Sequence, residues 1–134
     1  MSQTLSEQYS RILEESRQRG EMLAEQADKD RRVHPRLKVQ SADLWISSVP
    51  EFSMIDMSAS GLALMANYPL QPGEQITVAV GQAVSIQAEV VRCQLVESAT
   101  QYDHALFRIH CRFAEEASGM ELLVEVKRRE HVDG

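Results

Sequence analysis

No stretch of the chain is apolar enough, for long enough, to cross a membrane as a helix. The opening residues "MSQTLSEQYS" are polar and show none of the basic, apolar and small-residue succession of a secretory leader, so a cytoplasmic protein with no membrane contact is expected. Cysteine is scarce: Cys93 and Cys111 stand apart with no CxxC spacing, and neither a zinc knuckle nor a redox pair is indicated. Basic residues are outnumbered, 14 Lys and Arg against 20 Asp and Glu, for a net charge of -6. An acidic body repels a long phosphate backbone, which makes DNA a poor partner. No serine, cysteine or carboxylate pair has a recognisable activating partner, so an enzyme is not expected either.

Against that acidic background one basic cluster stands out. The stretch "DRRVHPRLKV", residues 30–39, holds three arginines and a lysine, and residues 28–38 carry a net +3, leaving -9 for the remainder. Such asymmetry reads either as a solvated linker before a strand or as a local site for a small anion carrying one or two phosphates.

The length suits one domain with a modest core, and 43% hydrophobic with 25% charged residues is the balance of a globular chain. In residues 4–29, Leu5, Tyr9, Ile12, Leu13, Leu23 and Ala27 recur at helical spacing. Thr4 and Glu7 form a candidate capping box, Glu7 with Arg11 and Glu15 with Arg19 have i,i+4 spacing, and Gly20 marks a bend or fraying point inside the helix. Pro35 ends any helix before His34. From Leu37 the period becomes two: Ile76, Val78 and Val80 form one buried face, and Ala105, Phe107, Ile109, Cys111 and Phe113 another. Parity slips between Val39 and Ala42 and at Val90–Val91 predict bulges that help a sheet curl. Turn signals at "SSVPE", "NYPLQPGE" and "ESATQ" divide the region into about six strands of a small barrel or sandwich. A turn centred near Ala99 would place Cys93 opposite Ala105, about 20 Å from Cys111. His34, His104 and His110 read as surface histidines rather than metal ligands. The segment "SGMELLVEVKRRE" returns to helical period, with Ser118 and Glu121 as a second candidate capping box, Met120, Leu123 and Val126 on an apolar face, and Lys127, Arg128 and Arg129 at the negative end of the dipole. That helix is expected to cover the barrel.

The stretch "MIDMSASGLAL", residues 54–64, reads as strand, polar break and strand. Asp56 and Ser58, two apart, share one face of an extended backbone, and Gly61 can take a turn geometry closed to other residues. A hairpin Asx or Ser turn is one reading, and a ligand-receiving face is the other.

Arg32-Val33-His34-Pro35-Arg36 followed by Asp56-Met57-Ser58-Ala59-Ser60-Gly61 resembles the paired R-x-x-x-R and [D/N]-x-S-x-x-G signature of the PilZ domain, the bacterial receptor module for cyclic di-GMP. The resemblance runs from residue 30 to about 129. It implies a mainly β fold, a six-stranded antiparallel barrel with a C-terminal helix, here over residues 30–130, with residues 1–29 an N-terminal helical extension and 131–134 a tail. It also implies a ligand set of Arg31, Arg32, Arg36, Asp56, Ser58 and Gly61, with Arg31 the extra arginine that accompanies capture of two intercalated ligand molecules. No metal and no cofactor beyond that ligand is implied. The chemistry suits those residues, because a guanidinium fork matches phosphate and the O6/N7 edge of guanine, and a carboxylate accepts from the N1–H/N2–H edge. The functional expectation is a cyclic di-GMP receptor that changes conformation and signals to a partner protein. The alternative is an interaction or structural module working through its N-terminal helix, with weak or no nucleotide binding. That helix could form a homodimer, dock on a partner, or pack on its own barrel.

Overall fold

The computed structural model describes residues 3–22, 34–40, 43–99 and 104–132. Helix α1 (Leu5–Gln18) starts where the capping box places it: the Thr4 hydroxyl accepts from Glu7 N–H at 3.1 Å and the Glu7 carboxylate accepts from Thr4 N–H at 2.9 Å. With its carboxylate committed there, Glu7 does not make the expected pair with Arg11, whose guanidinium turns to Glu15 at 3.3 Å; the Glu15–Arg19 pair forms at 3.9 Å. The helix also stops early. Arg19 is its last cap and Gly20 takes φ +72°, the left-handed geometry that terminates helices, so Gly20 ends α1 rather than bending it. Met22 is already extended and bridges Leu37, while Leu23 and Ala27 of the anticipated stripe lie outside the described residues.

Six strands follow: β1 (Leu44–Ile46), β2 (Phe52–Met57), β3 (Gly61–Ala66), β4 (Gln75–Val80), β5 (Val84–Ala99) and β6 (His104–Phe113). They form one antiparallel sheet in the order β1-β4-β5-β6-β3-β2, curled into a half-barrel. Alternation does what the period predicted. Ile76, Val78 and Val80 from β4, and Ile109, Cys111 and Phe113 from β6, all point into the core. The parity slip at Val90–Val91 is a bulge with Val91 as the extra residue; β2 carries another at Ile55 and β5 a second at Val96. The slip between Val39 and Ala42 touches residues outside the described set.

One register expectation fails. β5 runs on through Ala99, which pairs with His104, so Cys93 lies opposite Ile109 rather than Ala105. Cys111, two residues along, is then a diagonal neighbour of Cys93 at roughly 7–8 Å between backbones, and not about 20 Å away. Both thiols are free.

Helix α2 (Glu116–Val132) begins two residues before Ser118, which therefore sits inside the first turn and caps nothing. Its Leu122, Leu123 and Val126 close the open side of the half-barrel. The stripe of α1 is used within the chain: Tyr9 and Ile12 are buried in the same core cluster, with Leu13 half-buried beside them. Lys127, expected to compensate the negative end of the helix dipole, is fully buried. Its ammonium donates to Glu21 at 2.9 Å, to Glu130 at 3.1 Å and to the Lys38 carbonyl, pinning α2 to the segment that links α1 to the sheet. No helix among the described residues is long and apolar enough to cross a membrane.

Removing one partner from a buried ion cluster leaves uncompensated charge, which costs more than the cluster itself contributes. Lys127→Met, which preserves bulk while stranding Glu21 and Glu130, is expected to destabilise the fold by about 3 kcal/mol. The urea midpoint checks it, and a midpoint equal to wild type would show the cluster to be energetically neutral.

Candidate functional site

Leu37 and Met57 exchange both backbone hydrogen bonds, Leu37 N–H to Met57 C=O at 2.8 Å and Met57 N–H to Leu37 C=O at 2.9 Å. Both side chains point into the core and are completely buried. Because neighbours on an extended backbone face opposite ways, Arg36 beside Leu37 and Asp56 and Ser58 on either side of Met57 are driven to the same outer face. The Ile55 bulge finishes the aim by shifting the β2 register just before Asp56. In this arrangement Arg36 Nη1 lies 3.8 Å from Asp56 Oδ2, with the carboxylate almost wholly buried and the guanidinium about one-fifth exposed.

Ser58 is buried and organises the turn that follows, accepting from Ser60 N–H at 3.1 Å while its own N–H donates to the Gly61 carbonyl at 2.8 Å. The turn reading and the ligand-face reading of this stretch thus coexist. Gly61 does not use the left-handed geometry anticipated for it. It opens β3 opposite Arg112, and a Cβ there would lie 2.1 Å from the Cys111 carbonyl oxygen. The absence of a side chain lets β3 and β6 approach at the floor of the site.

Arg36, Asp56, Ser58 and Gly61 all line one cavity of about 730 Å³, within the usual range for small-molecule sites. Arg31 and Arg32 fall outside the described residues. The same cavity takes in residues that sequence reasoning left out: Val91 and Arg92 from β5, His110 and Arg112 from β6, and Glu116 from α2. The alternating period had placed His110 and Arg112 on the outward face of β6, but nothing in the pattern marked that face as a cavity wall. Cys111, between them on β6, turns its side chain into the core; burial first and the neighbouring Cys93 second push its thiol up to about 12, so at neutral pH it stays protonated. Among the described residues no cluster of His, Cys, Asp and Glu is placed to hold a metal ion.

His34 differs most from expectation, because it is buried rather than on the surface. Its Nδ1 lies 3.1 Å from the Tyr9 hydroxyl and its Nε2 lies 2.9 Å from a Glu116 carboxylate oxygen. A carboxylate only accepts, so Nε2–H donates to Glu116, and in a neutral ring Nδ1 accepts from Tyr9. The rings meet edge to face, centroids 5.7 Å apart. Burial, and secondarily the charge of Glu116, pushes the Tyr9 phenol up to about 12. Helix α1, the arginine-bearing segment and the first turn of α2 are therefore joined by one chain of polar contacts at the edge of the cavity.

Gly61→Ala must displace backbone of β6 to fit, and is expected to destabilise the protein by about 2 kcal/mol. Thermal unfolding checks this, and an unchanged midpoint would mean that the strand contact is looser than the geometry states.

Comparison with known proteins adds four findings. Among solved structures, the chain is similar to the PilZ domain with c-di-GMP of YcgR from Escherichia coli, at 17% identity and a TM-score of 0.49, covering 78% of this chain and 98% of that one. It is similar to the same degree, 17% identity and TM-score 0.49 over 78% of this chain, to MrkH, described as a c-di-GMP-dependent transcription regulatory factor, of which it covers 52%. No curated protein matches the sequence. The PilZ domain family description matches residues 30–126, a span that takes in the arginine segment, all six strands and most of α2, and the chain belongs to the PilZ domain family.

Proposed function

We propose that the chain is a non-catalytic receptor for cyclic di-GMP whose occupancy is passed to a partner protein through its N-terminal helix. The observation that carries the reading is the convergence of Arg36 with Asp56 and Ser58, 20 and 22 residues further along the sequence, on one cavity wall with Gly61 at its floor. The ligand is a dianion bearing two guanines. Arg36 offers a planar fork to phosphate or to the O6/N7 edge, Asp56 accepts from the N1–H/N2–H edge, and Ser58 supplies a hydroxyl. Arg31 and Arg32 complete the set on the strength of the sequence motif alone. In the free protein Arg36 faces Asp56, so the ligand enters a cavity whose cation and anion already hold each other in place.

Replacing Arg36 by alanine should weaken binding by about 1.5–3 kcal/mol, one to two decades in Kd. Arg36→Lys should resemble the alanine variant, because a point charge lacks the fork. Calorimetric titration of cyclic di-GMP into the full chain checks both. Wild-type affinity in Arg36→Ala would defeat the site, and full recovery by lysine would reduce the contact to general electrostatics.

The Tyr9–His34–Glu116 chain supports the transmission step. His34 lies two residues from both Arg32 and Arg36, and Glu116 lends its negative charge to the cavity that is to receive a dianion. Ligand that draws the arginine segment inward is expected to loosen these contacts and free α1 for a partner; couplings of this kind are typically about 1–3 kcal/mol. Tyr9→Phe, which removes only the hydroxyl, should then tighten cyclic di-GMP binding about five-fold, the equivalent of one ordinary hydrogen bond, and speed amide exchange in α1 of the free protein. Unchanged affinity together with unchanged exchange would make the contact chain a packing feature without a signalling role.

A further inference from the structure

Strand β5 outruns its neighbour. β4 pairs with it only as far as Glu89, and the loop before β4 adds one last tie, in which Val90 N–H donates to the Glu74 carbonyl at 2.9 Å and the Val90 carbonyl accepts from Gly73 N–H at 2.7 Å. From Val91 to Ala99 the strand pairs with β6 alone among the described residues. Its other edge presents unpaired backbone N–H and C=O groups, a template for a further strand, and a two-stranded ribbon left so is only marginally stable in water. The side chains agree with the backbone. Four large apolar side chains are exposed among the described residues, and three of them, Val91, Leu95 and Val96, lie on this stretch. Leu95 pairs with Phe107, Phe107 with Ala66, and Ala66 with Phe52, so the four stand in one row on the core face of the sheet. Ala66 is buried and the two phenylalanines pack against the core, whereas Leu95, at the end of the row, is 58% exposed.

We infer that this open edge of β5 is an interface, and that its occupant is the same edge of a second copy of the chain, paired antiparallel. Charge selects that occupant. The stretch carries Arg92 near one end and Glu97 near the other. Two copies running antiparallel bring those unlike charges together twice, whereas a parallel alignment would oppose arginine to arginine and glutamate to glutamate. Geometry narrows the register. Bonded and non-bonded pairs alternate along an antiparallel ladder, so a two-fold axis perpendicular to the sheet can pass only where a residue faces its own copy. The bulges at Val91 and Val96 leave Arg92–Leu95 as a regular run between them. An axis at Gln94 then sets Cys93 of each copy against Leu95 of the other, and Arg92 against Val96 beside Glu97. Cys93 is half-buried on the core face, so the exposed Leu95 gains an apolar neighbour on its own side of the sheet. Arg36, Asp56 and Ser58 lie off this edge, and the inference stands whether or not the ligand reading does.

The test is sedimentation velocity of the full chain from micromolar to submillimolar concentration, with urea unfolding to verify that each variant is folded. Wild type is expected to pass from monomer to dimer as concentration rises. Leu95→Asp, which brings two carboxylates close to the axis, should weaken dimerisation about tenfold, and Glu97→Arg several-fold by setting like charges together. Arg92→Glu combined with Glu97→Arg exchanges the two charges and should restore the dimer. Trp45→Ala removes the fourth exposed apolar side chain, which lies on β1, and should leave the dimer intact. A wild type that stays monomeric throughout overturns the inference. Dimerisation of Leu95→Asp at the wild-type level, or its loss in Trp45→Ala, would place the interface elsewhere and overturn it as well. A charge exchange that fails to recover what Glu97→Arg loses would remove the reason for a second copy as the occupant.

Discussion

The reciprocal backbone pair between Leu37 and Met57 is the constraint on which the site depends. It joins a segment that carries cations to a strand that carries a carboxylate and a hydroxyl, and it fixes their relative parity. Slipping either strand by one residue would bury Arg36 and expose Leu37, an outcome excluded by two side chains with no solvent access at all. The hydrophobic core therefore sets the geometry of the polar face. Core packing and site geometry are here two sides of one extended dipeptide pairing.

Bulges perform the complementary task. A regular ladder would alternate in and out without exception, and a concave site needs side chains from several strands aimed at one volume. The Ile55 and Val91 insertions each break alternation next to the cavity, one on the wall that bears Asp56 and the other on the wall that bears Arg92. Both also add to the twist that curls the sheet into a half-barrel and lets α2 cover it.

Two polar clusters then bind the N-terminal helix to this frame. Lys127 gathers Glu21, Glu130 and the Lys38 carbonyl, while His34 links Tyr9 to Glu116. The first clamps the segment between α1 and the arginines with buried charge. The second is a run of single hydrogen bonds ending on a largely exposed carboxylate, and is the weaker of the two. The polar ties of α1 are thus strong at its exit and weak at its middle, where apolar burial of Tyr9 and Ile12 holds it, and the proposed relay acts on the weaker tie.

Local rules were legible in the sequence. The capping box at Thr4, the inward alternation of Ile76–Val78–Val80 and Ile109–Cys111–Phe113, the Val91 bulge and the shared face of Asp56 and Ser58 each follow from residues within a few positions of one another. So does the paired signature, whose spacing survives however the chain folds between its halves. What the sequence could not decide were matters of which distant groups meet. Whether Glu7 would serve the cap or Arg11, whether Lys127 would face water or Glu21, and whether His34 would lie outside or between Tyr9 and Glu116 depended on contacts spanning up to 106 residues. The register of β5 against β6 depended on a turn whose length no single residue announces. Periodicity reports the face on which a side chain lies, because that is set by backbone geometry at the residue itself. It does not report what lies across from that face, and the second wall of the cavity, with Arg92 and Arg112, exists only because tertiary packing brings those two faces together.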